Sequence, residues 1–401
     1  MNMKKALLPI SLVALFGIGS SAHAAMTIEQ LTTNSINDSL PHISGNYVVW
    51  QGYVGGNWEV FLHDLTTSTT TQITSNSTDD ISPQTDGNYI TWMGEISGGS
   101  GIFSYNISTG GPALQIDPTP GTHINAPPQI ADGRIVWVTN VVGTNVNPGE
   151  ISFYEIATGT HSVISNLVDP GGTLDDNAPK INSTQVVWNQ VNEGVLGDPT
   201  DDVTSIVAYD IAAGTASYLI VDVEANANAV TPVNFVWEES PQSDGDLSVY
   251  AQHDGSDREI FLKNDRLLTQ QVTANSISDT YPRISGNTVV WVGGDGDSAE
   301  IYAATDPDED TDGVTSSFDN CTVVANELQR DSDGDGFGNK CDADFDNNGY
   351  VNYLDFLALV EVYGTSDVHA DFDGNGYVNY LDFLALVALY GQPPGPSGLV
   401  P

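Results

Sequence analysis

The sequence predicts a mainly β protein, and three observations lead to that expectation. Its 401 residues include 40 glycines together with many Thr, Val and Asn, a composition that favours turns and strands over helices. Apolar and polar residues alternate over short stretches, which is the period of a half-buried strand. A block also recurs along the chain, and its final aromatic residue returns after 42, 45, 51, 62 and 41 positions.

The charge balance excludes some classes of partner. The chain has 53 acidic and 10 basic residues, which gives a formal net charge of −43. A nucleic-acid partner is excluded, because a phosphate backbone is bound by clustered Lys and Arg. Anionic membrane surfaces are disfavoured for the same reason.

The first 24 residues predict secretion. Lys4 and Lys5 precede an apolar run at residues 6–18, and small residues follow up to Ala24. This is the layout of a signal peptide cleaved after Ala24. A membrane anchor is the alternative, but thirteen apolar residues are too few to cross a bilayer. We expect no membrane span in the mature chain and an extracellular, cell-surface or periplasmic location.

The recurring block keeps a fixed order of residues. An acidic residue or Asn comes first, a proline follows three positions later, and a turn then leads into a strand that ends in the aromatic. The aromatic residues are Trp50, Trp92, Trp137, Trp188, Tyr250 and Trp291. Such an interval is typical of a four-stranded propeller blade. We expect a six-bladed β-propeller over residues 25–305, or seven blades if residues 231–237 belong to a degenerate one.

The two ends of the array predict how the propeller closes. Residues 72–80 and 271–279 end two of the blocks, and residues 30–38 repeat that element with no block in front of it. The last block lacks the element. The N-terminal strand is therefore expected to complete the last blade, which leaves no open sheet edge.

Residues 27–305 resemble the TolB-like family of β-propellers. The resemblance implies a central channel and a binding face, but no particular activity. The histidines of this region follow no ligand spacing, and we name no catalytic residue. The residues three positions before each proline are expected to form a ring beside the channel that binds a cation or a polyhydroxylated ligand; an Asx-type turn in each blade explains the same pattern. These residues are Asp38, Asp80, Asn125, Asp176, Glu238 and Asp279.

The region after residue 305 predicts calcium binding. Residues 306–382 contain 19 acidic and 2 basic residues, and many of the aspartates stand at alternate positions beside glycine or Asn. A chain that curls around a hard cation needs oxygen atoms at that interval. The aspartates are Asp308, Asp310, Asp312, Asp331, Asp333, Asp335, Asp342, Asp344 and Asp346.

Residues 306–343 resemble a thrombospondin type 3 repeat. The resemblance is carried by residues 319–321, Asn326, Gln329 and residues 338–342. It implies calcium held with almost no hydrophobic core. In a secreted protein, Cys321 and Cys341 should then form a disulfide.

Residues 344–355 and 371–382 are two copies of a twelve-residue loop. Both copies place oxygen ligands at positions 1, 3, 5, 7, 9 and 12 and a glycine at position 6, which is the pattern of a calcium loop. Position 7 would bind through its backbone carbonyl, and an apolar helix is expected after each loop. The predicted ligands are Asp344, Asp346, Asn348, Tyr350, Asn352, Asp355, Asp371, Asp373, Asn375, Tyr377, Asn379 and Asp382.

The tandem loops at residues 344–391 resemble a type I dockerin, although their 27-residue interval is short and a late basic pair is absent. The resemblance implies a cohesin-like or cell-surface protein partner. Residues 349–360 and 376–387 are identical, which a repeated contact surface or a recent duplication would explain. The expected contact residues are Tyr353, Leu354, Tyr380 and Leu381. A calcium-rigidified stalk is the alternative, and residues 392–401 are expected to form a flexible tail.

Together these features predict a secreted calcium-binding modular protein. The propeller would be a binding platform, and the dockerin-like module would mediate assembly or attachment. The alternative is a carbohydrate-active enzyme, a polysaccharide lyase or glycoside hydrolase, that binds its polysaccharide on the propeller.

Overall fold

A computed structural model describes residues 26–97, 99–117, 127–140, 149–168, 175–192, 203–224, 242–253, 255–266, 268–294 and 296–399. The predicted signal peptide and the possible seventh blade lie outside these residues. The chain divides into two compact units. The first, which we call the propeller unit, comprises residues 30–261 and 273–303, and the C-terminal unit includes residues 304–401.

The described residues contain 24 strands, two α-helices and two short 3₁₀ helices, Ser165–Leu167 and Gly296–Ser298. The first twelve strands are β1 (Thr27–Gln30), β2 (Asp38–Ser44), β3 (Tyr47–Val54), β4 (Asn57–Asp64), β5 (Thr69–Gln72), β6 (Asp80–Thr85), β7 (Tyr89–Ile96), β8 (Gly99–Asn106), β9 (Leu114–Gln115), β10 (Gln129–Ala131), β11 (Arg134–Asn140) and β12 (Gly149–Glu155). The others are β13 (Thr160–Val163), β14 (Asp175–Ile181), β15 (Gln185–Asn192), β16 (Val203–Asp210), β17 (Thr215–Glu224), β18 (Gln242–Asp244), β19 (Leu247–His253), β20 (Arg258–Asn264), β21 (Thr269–Gln271), β22 (Asp279–Ser285), β23 (Thr288–Gly293) and β24 (Glu300–Thr305).

The strands form six four-stranded sheets within the described residues. Five sheets follow the chain in order, β2 to β5, β6 to β9, β10 to β13, β14 to β17 and β18 to β21. The sixth has the order β1-β24-β23-β22. Tight turns make these meanders possible, as at Gly45, whose φ of 55° suits a residue without a side chain.

The sheets pack on one another through apolar residues. Buried clusters join the first sheet to the second, the second to the third, the third to the fourth, and the sixth back to the first. In four of the blades two aromatic side chains are stacked on each other. In the first blade Trp50 stacks on Phe61 with ring centroids 5.7 Å apart, and equivalent pairs recur in three others. The expected β-propeller is confirmed, with six blades among the described residues.

The N-terminal segment closes the propeller as predicted. The backbone N–H of Leu31 donates to the carbonyl of Ile301 at 2.8 Å, and the N–H of Ile301 donates to the Thr32 hydroxyl at 2.8 Å. Leu31 also packs against the cluster shared by the sixth and first sheets. The edge of the last sheet is therefore covered by the start of the chain.

Two short helices follow the calcium-type loops of the C-terminal unit. They are α1 (Tyr353–Val362) and α2 (Tyr380–Leu389). Their buried residues Leu359 and Leu386 meet in a small apolar cluster with Val351 and Val378. No helix in the described part of the chain is long and apolar enough to cross a membrane.

The C-terminal segment corrects one prediction. We expected residues 392–401 to be a flexible tail, but their described part is bonded to the disulfide-linked segment. The N–H of Thr322 donates to the Pro396 carbonyl at 3.0 Å, and the N–H of Gly398 donates to the Asp319 carbonyl at 2.7 Å. Ser397 is fully buried.

The predicted disulfide between Cys321 and Cys341 is confirmed.

Candidate metal sites

Four loops in the C-terminal unit share one backbone arrangement. In each, the first aspartate accepts the N–H of the glycine five positions later, and that glycine has a φ of 91° to 95°. The second carboxylate oxygen accepts another backbone N–H of the same loop. The loop pairs are Asp308 with Gly313, Asp331 with Gly336, Asp344 with Gly349 and Asp371 with Gly376. This tight turn directs the following carboxylates toward one point.

The predicted aspartate ligands converge in these loops. Four clusters of three aspartates each place one oxygen atom from every carboxylate within 4.8 Å of one another. The groups are Asp308, Asp310 and Asp312; Asp331, Asp333 and Asp335; Asp344, Asp346 and Asp355; and Asp371, Asp373 and Asp382. Oxygen-only groups of this kind suit hard cations such as calcium.

The helices supply the last carboxylate of the two duplicated loops. Asn352 caps α1 by accepting the N–H of Leu354, and Asp355 accepts the N–H of Asn352 at 2.7 Å, which completes a capping box. The same bonds recur around Asn379 and Asp382. Asp355 and Asp382 are fully buried, so the helix start fixes each carboxylate beside its loop.

Of the remaining predicted ligands, Asp342 lies outside the four loops, in a group with Asp333 and His369. The others lie in the two duplicated loops but outside the clusters of three aspartates. Asn348 and Asn375 donate from their amides to the neighbouring Asp346 and Asp373. The side-chain amides of the helix-capping asparagines donate to the carbonyls of Tyr350 and Tyr377, both at 2.9 Å. The carbonyls predicted as position-7 ligands are therefore held by the predicted position-9 residues.

Burial raises the pKa of several of these carboxyl groups. The pKa of Asp342 is raised to about 7 and that of Asp319 to about 6, chiefly by burial, and Asp310, Asp335 and Asp344 shift in the same direction. Buried Oδ2 atoms of Asp310 and Asp342 have no hydrogen-bond donor among the described residues. A divalent cation would supply the missing positive charge, so these residues fit calcium.

One neighbour of these loops has no sequence signal. His369 lies with Nε2 at 3.9 Å from Asp333 and 4.0 Å from Asp342, and its ring meets Phe345 edge to face. A single histidine 27 positions after Asp342 belongs to no motif. Its place beside the loop depends on the packing of the two repeats.

The acidic positions of the propeller have a different role from the expected ring. Asp38 accepts the indole N–H of Trp50 at 3.0 Å, and Asp80, Asp176 and Asp279 bind Trp92, Trp188 and Trp291 in the same way. All four aspartates are buried. The two other members, Asn125 and Glu238, lie outside the described residues. In these four sheets the position therefore anchors the tryptophan instead of lining the channel, and an Asx-type turn does not describe it either.

A glycine opposite the aspartate makes room for this bond. Gly52 pairs with Asp38 across β2 and β3, and a Cβ atom there would lie 2.7 Å from the Asp38 carboxylate. Gly94 and Gly293 occupy the matching positions opposite Asp80 and Asp279. A side chain at these three glycines would have to displace the carboxylate. In the fourth sheet Gln190 stands opposite Asp176 instead and donates to it at 3.0 Å.

The channel is lined by the residue that follows each block's proline. One cavity is bordered by six equivalent side chains from the first strands of all six sheets. We call them the post-proline ring: His42, Gln84, Gln129, Lys180, Gln242 and Arg283. Aligning the blocks on their prolines puts these six residues at one position of the block, but the sequence does not indicate that they face a cavity.

The expected partner residues are at the surface of the C-terminal unit. Tyr353 and Tyr380 are each 61% exposed, and Leu354 and Leu381 are 56% and 55% exposed. The two repeats therefore present these side chains in the same way.

Comparison with known proteins supports the type 3 assignment. The model of the thrombospondin type 3 repeat matches residues 294–329 and 330–356, which contain three of the four loops. The resemblance drawn from the sequence is thereby confirmed for this segment. The dockerin-like assignment is not confirmed and stays a prediction.

Solved structures similar to this chain include enzymes and TolB proteins. An oligogalacturonate lyase from Vibrio parahaemolyticus is 12% identical, with 71% of this chain and 94% of the lyase covered and a TM-score of 0.44. TolB from Acinetobacter baumannii is 14% identical over 62% of this chain and 59% of that protein, with a TM-score of 0.33. A putative TolB from Agrobacterium tumefaciens is 11% identical over 70% and 97%, with a TM-score of 0.36.

One curated protein also matches part of the chain. It is the 3-oxoacyl-[acyl-carrier-protein] reductase FabG of Rickettsia bellii, 29% identical over 104 residues. The match spans 22% of this chain and 42% of the reductase. Fold and site together define a β-propeller protein whose C-terminal region matches the thrombospondin type 3 repeat and contains aspartate clusters that could hold a metal ion.

Proposed function

We propose that this protein is a secreted, calcium-dependent assembly or attachment protein, with the propeller as its binding platform. The observation that carries the proposal is the set of four loops with the same turn and converging carboxylates. Calcium would be held by the aspartates of each loop, and in the last two loops also by a helix-borne aspartate. The Tyr350 and Tyr377 carbonyls would complete those two sites.

Calcium would also stabilise the C-terminal unit. Its apolar cluster contains only seven buried side chains, two of them alanines, and its loops are rich in carboxylates, so burial alone gives limited stability. Binding to the folded state alone adds to the free energy of unfolding. The disulfide between Cys321 and Cys341 adds about 3 kcal/mol by restricting the unfolded chain.

The assembly role is supported by a doubled apolar surface. The first repeat exposes Tyr350, Tyr353, Leu354, Leu357, Val360 and Tyr363. The second exposes Tyr377, Tyr380, Leu381, Leu384, Val387 and Tyr390 to nearly the same extents. Exposed aromatic and aliphatic groups on a rigid element are typical of protein interfaces. The partner would be a cohesin-like or other cell-surface protein.

The secreted location is supported by the signal-peptide pattern of the N-terminal residues and by the disulfide. Disulfides persist in oxidising compartments, so the bond between Cys321 and Cys341 supports an extracellular or periplasmic location. Sequencing the N-terminus of the protein recovered from culture medium would test it. A start at residue 25 supports export, and an intact Met1 in a purely cytoplasmic fraction contradicts it.

Calorimetric titration of the full-length protein with calcium tests the metal assignment. We expect about four sites, one for each loop. Asp371→Asn should remove one site. Glu361→Gln makes the same charge change at an exposed position of α1, outside the loops, and should leave the number of sites unchanged. Absence of calcium binding, or an unchanged site number in the Asp371 variant, would contradict the proposal.

A carbohydrate-active enzyme is the second candidate, and the polar channel favours it. The cavity offers His42, Lys180 and three glutamine side chains, which could bind a polysaccharide segment. A glycoside hydrolase normally needs two carboxylates at the scissile bond. The described residues that line the cavity include no carboxylate, so a polysaccharide lyase fits the cavity better than a glycoside hydrolase does. Product analysis after incubation with acidic and neutral polysaccharides would detect either activity.

A further inference from the structure

The post-proline ring is produced by a backbone feature that recurs in the blades. The residue before the proline has a positive φ in four sheets, at Leu40, Ser82, Ala178 and Tyr281, with values of 53° to 59°. The strand register shifts at the same place in each of these sheets. Such bulges re-aim the next side chains, and left-handed non-glycine residues cost free energy. These four sheets therefore share a strained backbone conformation before the proline, which brings their post-proline side chains to one cavity.

The ring is positively charged in a protein that is otherwise strongly acidic. Lys180 and Arg283 are two of only 10 basic residues among 401, yet both belong to this set of six. The described lining includes no Asp or Glu. The other members are neutral side chains that can donate hydrogen bonds.

The charges interact strongly within the ring. Burial lowers the pKa of Lys180, and the nearby Arg283 lowers it further. Burial, Arg283 and Lys180 together lower the pKa of His42 to about 3, so this imidazole is neutral at physiological pH. Its Nδ1 accepts the backbone N–H of Thr85 at 3.3 Å, which leaves Nε2 as the protonated nitrogen and a donor.

We propose that the post-proline ring binds an oxyanion, namely a carboxylate, sulfate or phosphate group carried by a small ligand. Arg283 and Lys180 supply charge-assisted hydrogen bonds, and His42 and the glutamine amides add neutral ones. The proposal rests on the proposed function only in treating the propeller as the binding platform, and it is independent of the calcium loops.

The ring also gives selectivity for one anionic group. The surrounding protein has a net charge of −43, so an anion approaching elsewhere is repelled. Lys180 donates to the Gln129 side chain at 3.4 Å, which holds its ammonium on the ring. A terminal acidic group of a ligand would enter the channel, and the remainder of the ligand would lie outside it.

The test compares ligands that differ in one group, on the full-length protein in calcium-containing buffer. The probes are glucuronate, glucose and inorganic sulfate, measured by calorimetry and by the shift in melting temperature of the propeller. Glucuronate or sulfate should bind and glucose should not. Binding of sulfate alone would identify a free inorganic oxyanion as the ligand, and binding of glucuronate would identify a carboxylate. Failure of both anions to bind, or equal binding of glucose, would overturn the proposal.

Variants locate the site. Lys180→Gln with Arg283→Gln should weaken anion binding at least tenfold, and the single Lys180→Gln should weaken it by less. Lys263→Gln with Lys340→Gln removes the same charge from residues outside the cavity lining and should retain binding. Equal binding by the ring variant would overturn the proposal. Calcium titration of the same samples shows whether the loops work, so failure of the anion site is distinguished from failure of the calcium assignment.

Discussion

In the propeller unit four buried aspartates each accept hydrogen bonds from neutral donors, whereas the C-terminal unit places aspartates two residues apart. Asp38 accepts hydrogen bonds from the Trp50 indole at 3.0 Å and from the Asn34 amide at 2.7 Å. Asp310 has like-charged neighbours at Asp308 and Asp312, which raise its pKa along with burial. A single buried carboxylate can be satisfied by tryptophan and asparagine, but a cluster of three needs a cation.

The two units therefore gain stability from different sources. The propeller depends on apolar contacts between sheets and on closure by the N-terminal segment. The C-terminal unit has a small apolar core, one disulfide and four clusters of three aspartates. Conditions that change metal occupancy should change the stability of the C-terminal unit. Changes to apolar packing or to closure should change the stability of the propeller unit.

Removing calcium should have the largest effect. Chelator added to the full-length protein should unfold most of the C-terminal unit, because each site at a thousandfold excess of calcium over Kd contributes about 4 kcal/mol. The propeller's melting transition should stay within a few degrees of its original value. Limited proteolysis followed by mass spectrometry would map the cleavages. Equal protection of residues 306–391 with and without chelator would contradict the comparison.

Opening the propeller should have the next largest effect, and on the other unit. Deleting residues 26–36 removes Leu31 and Thr32 and exposes the edge of the sixth sheet, so we expect a loss of about 3 kcal/mol or more. Deleting only residues 26–29 removes most of β1, whose side chains are exposed, but leaves Leu31 and Thr32 in place, so we expect a smaller loss. Denaturant melts of tryptophan fluorescence would measure both. Similar losses in the two deletions would argue against closure by Leu31 and Thr32.

A buried propeller carboxylate should give a smaller, pH-dependent effect. Burial raises the pKa of Asp279 to about 6, above its value of 3.8 in the unfolded chain, so the folded state favours the protonated form. The contribution of Asp279 to the free energy of unfolding is therefore greatest below about pH 4. As the pH rises to about 6, the free energy of unfolding falls by about 1 to 3 kcal/mol. In Asp279→Asn this part of the pH dependence should disappear, as measured by denaturant melts between pH 4 and 7. Asp265→Asn, at an exposed position, is the control and should keep the wild-type profile.

Repetition in the sequence was sufficient to predict the blades, the closure and the calcium-type loops, because each of these depends on local patterns. For four of its six positions the predicted ring in the channel is wrong, because Asp38, Asp80, Asp176 and Asp279 are buried and each accepts the indole N–H of its sheet's tryptophan. The repeat of an acidic residue at these four positions therefore reflects a structural requirement of the sheet. The residues after the prolines vary in type, and the bulge that aims them at the cavity has no simple sequence pattern.

Contacts between distant segments were the other features that sequence could not predict. The packing of Ser397 and Gly398 against the disulfide-linked segment joins residues about 80 positions apart. His369 reaches Asp342 only because the two repeats fold together. Neither contact follows a period or a motif, so nothing in the chain's local order indicates it.

The smallest effect on stability, and the sharpest on function, is expected at the exposed face of the two repeats. Tyr353 and Leu354 are more than half exposed, and the calcium-type carboxylates do not include them. Tyr353→Ala with Leu354→Ala should therefore change stability by less than about 1 kcal/mol and leave calcium affinity nearly intact. Because Tyr380 and Leu381 offer the same surface, capture of a surface protein should be abolished only when all four residues are changed.

Pull-downs from the secreted fraction of the source organism, with calcium and with chelator, would measure this capture. Val323→Ala with Leu328→Ala removes exposed apolar side chains from the same unit outside both helices, and it should retain the partner. Capture that needs calcium and disappears only in the quadruple variant supports two equivalent contact surfaces, because either repeat alone would then be sufficient for binding. Undiminished capture by the quadruple variant, or no calcium-dependent partner, would favour a stalk whose calcium loops serve only to make it rigid.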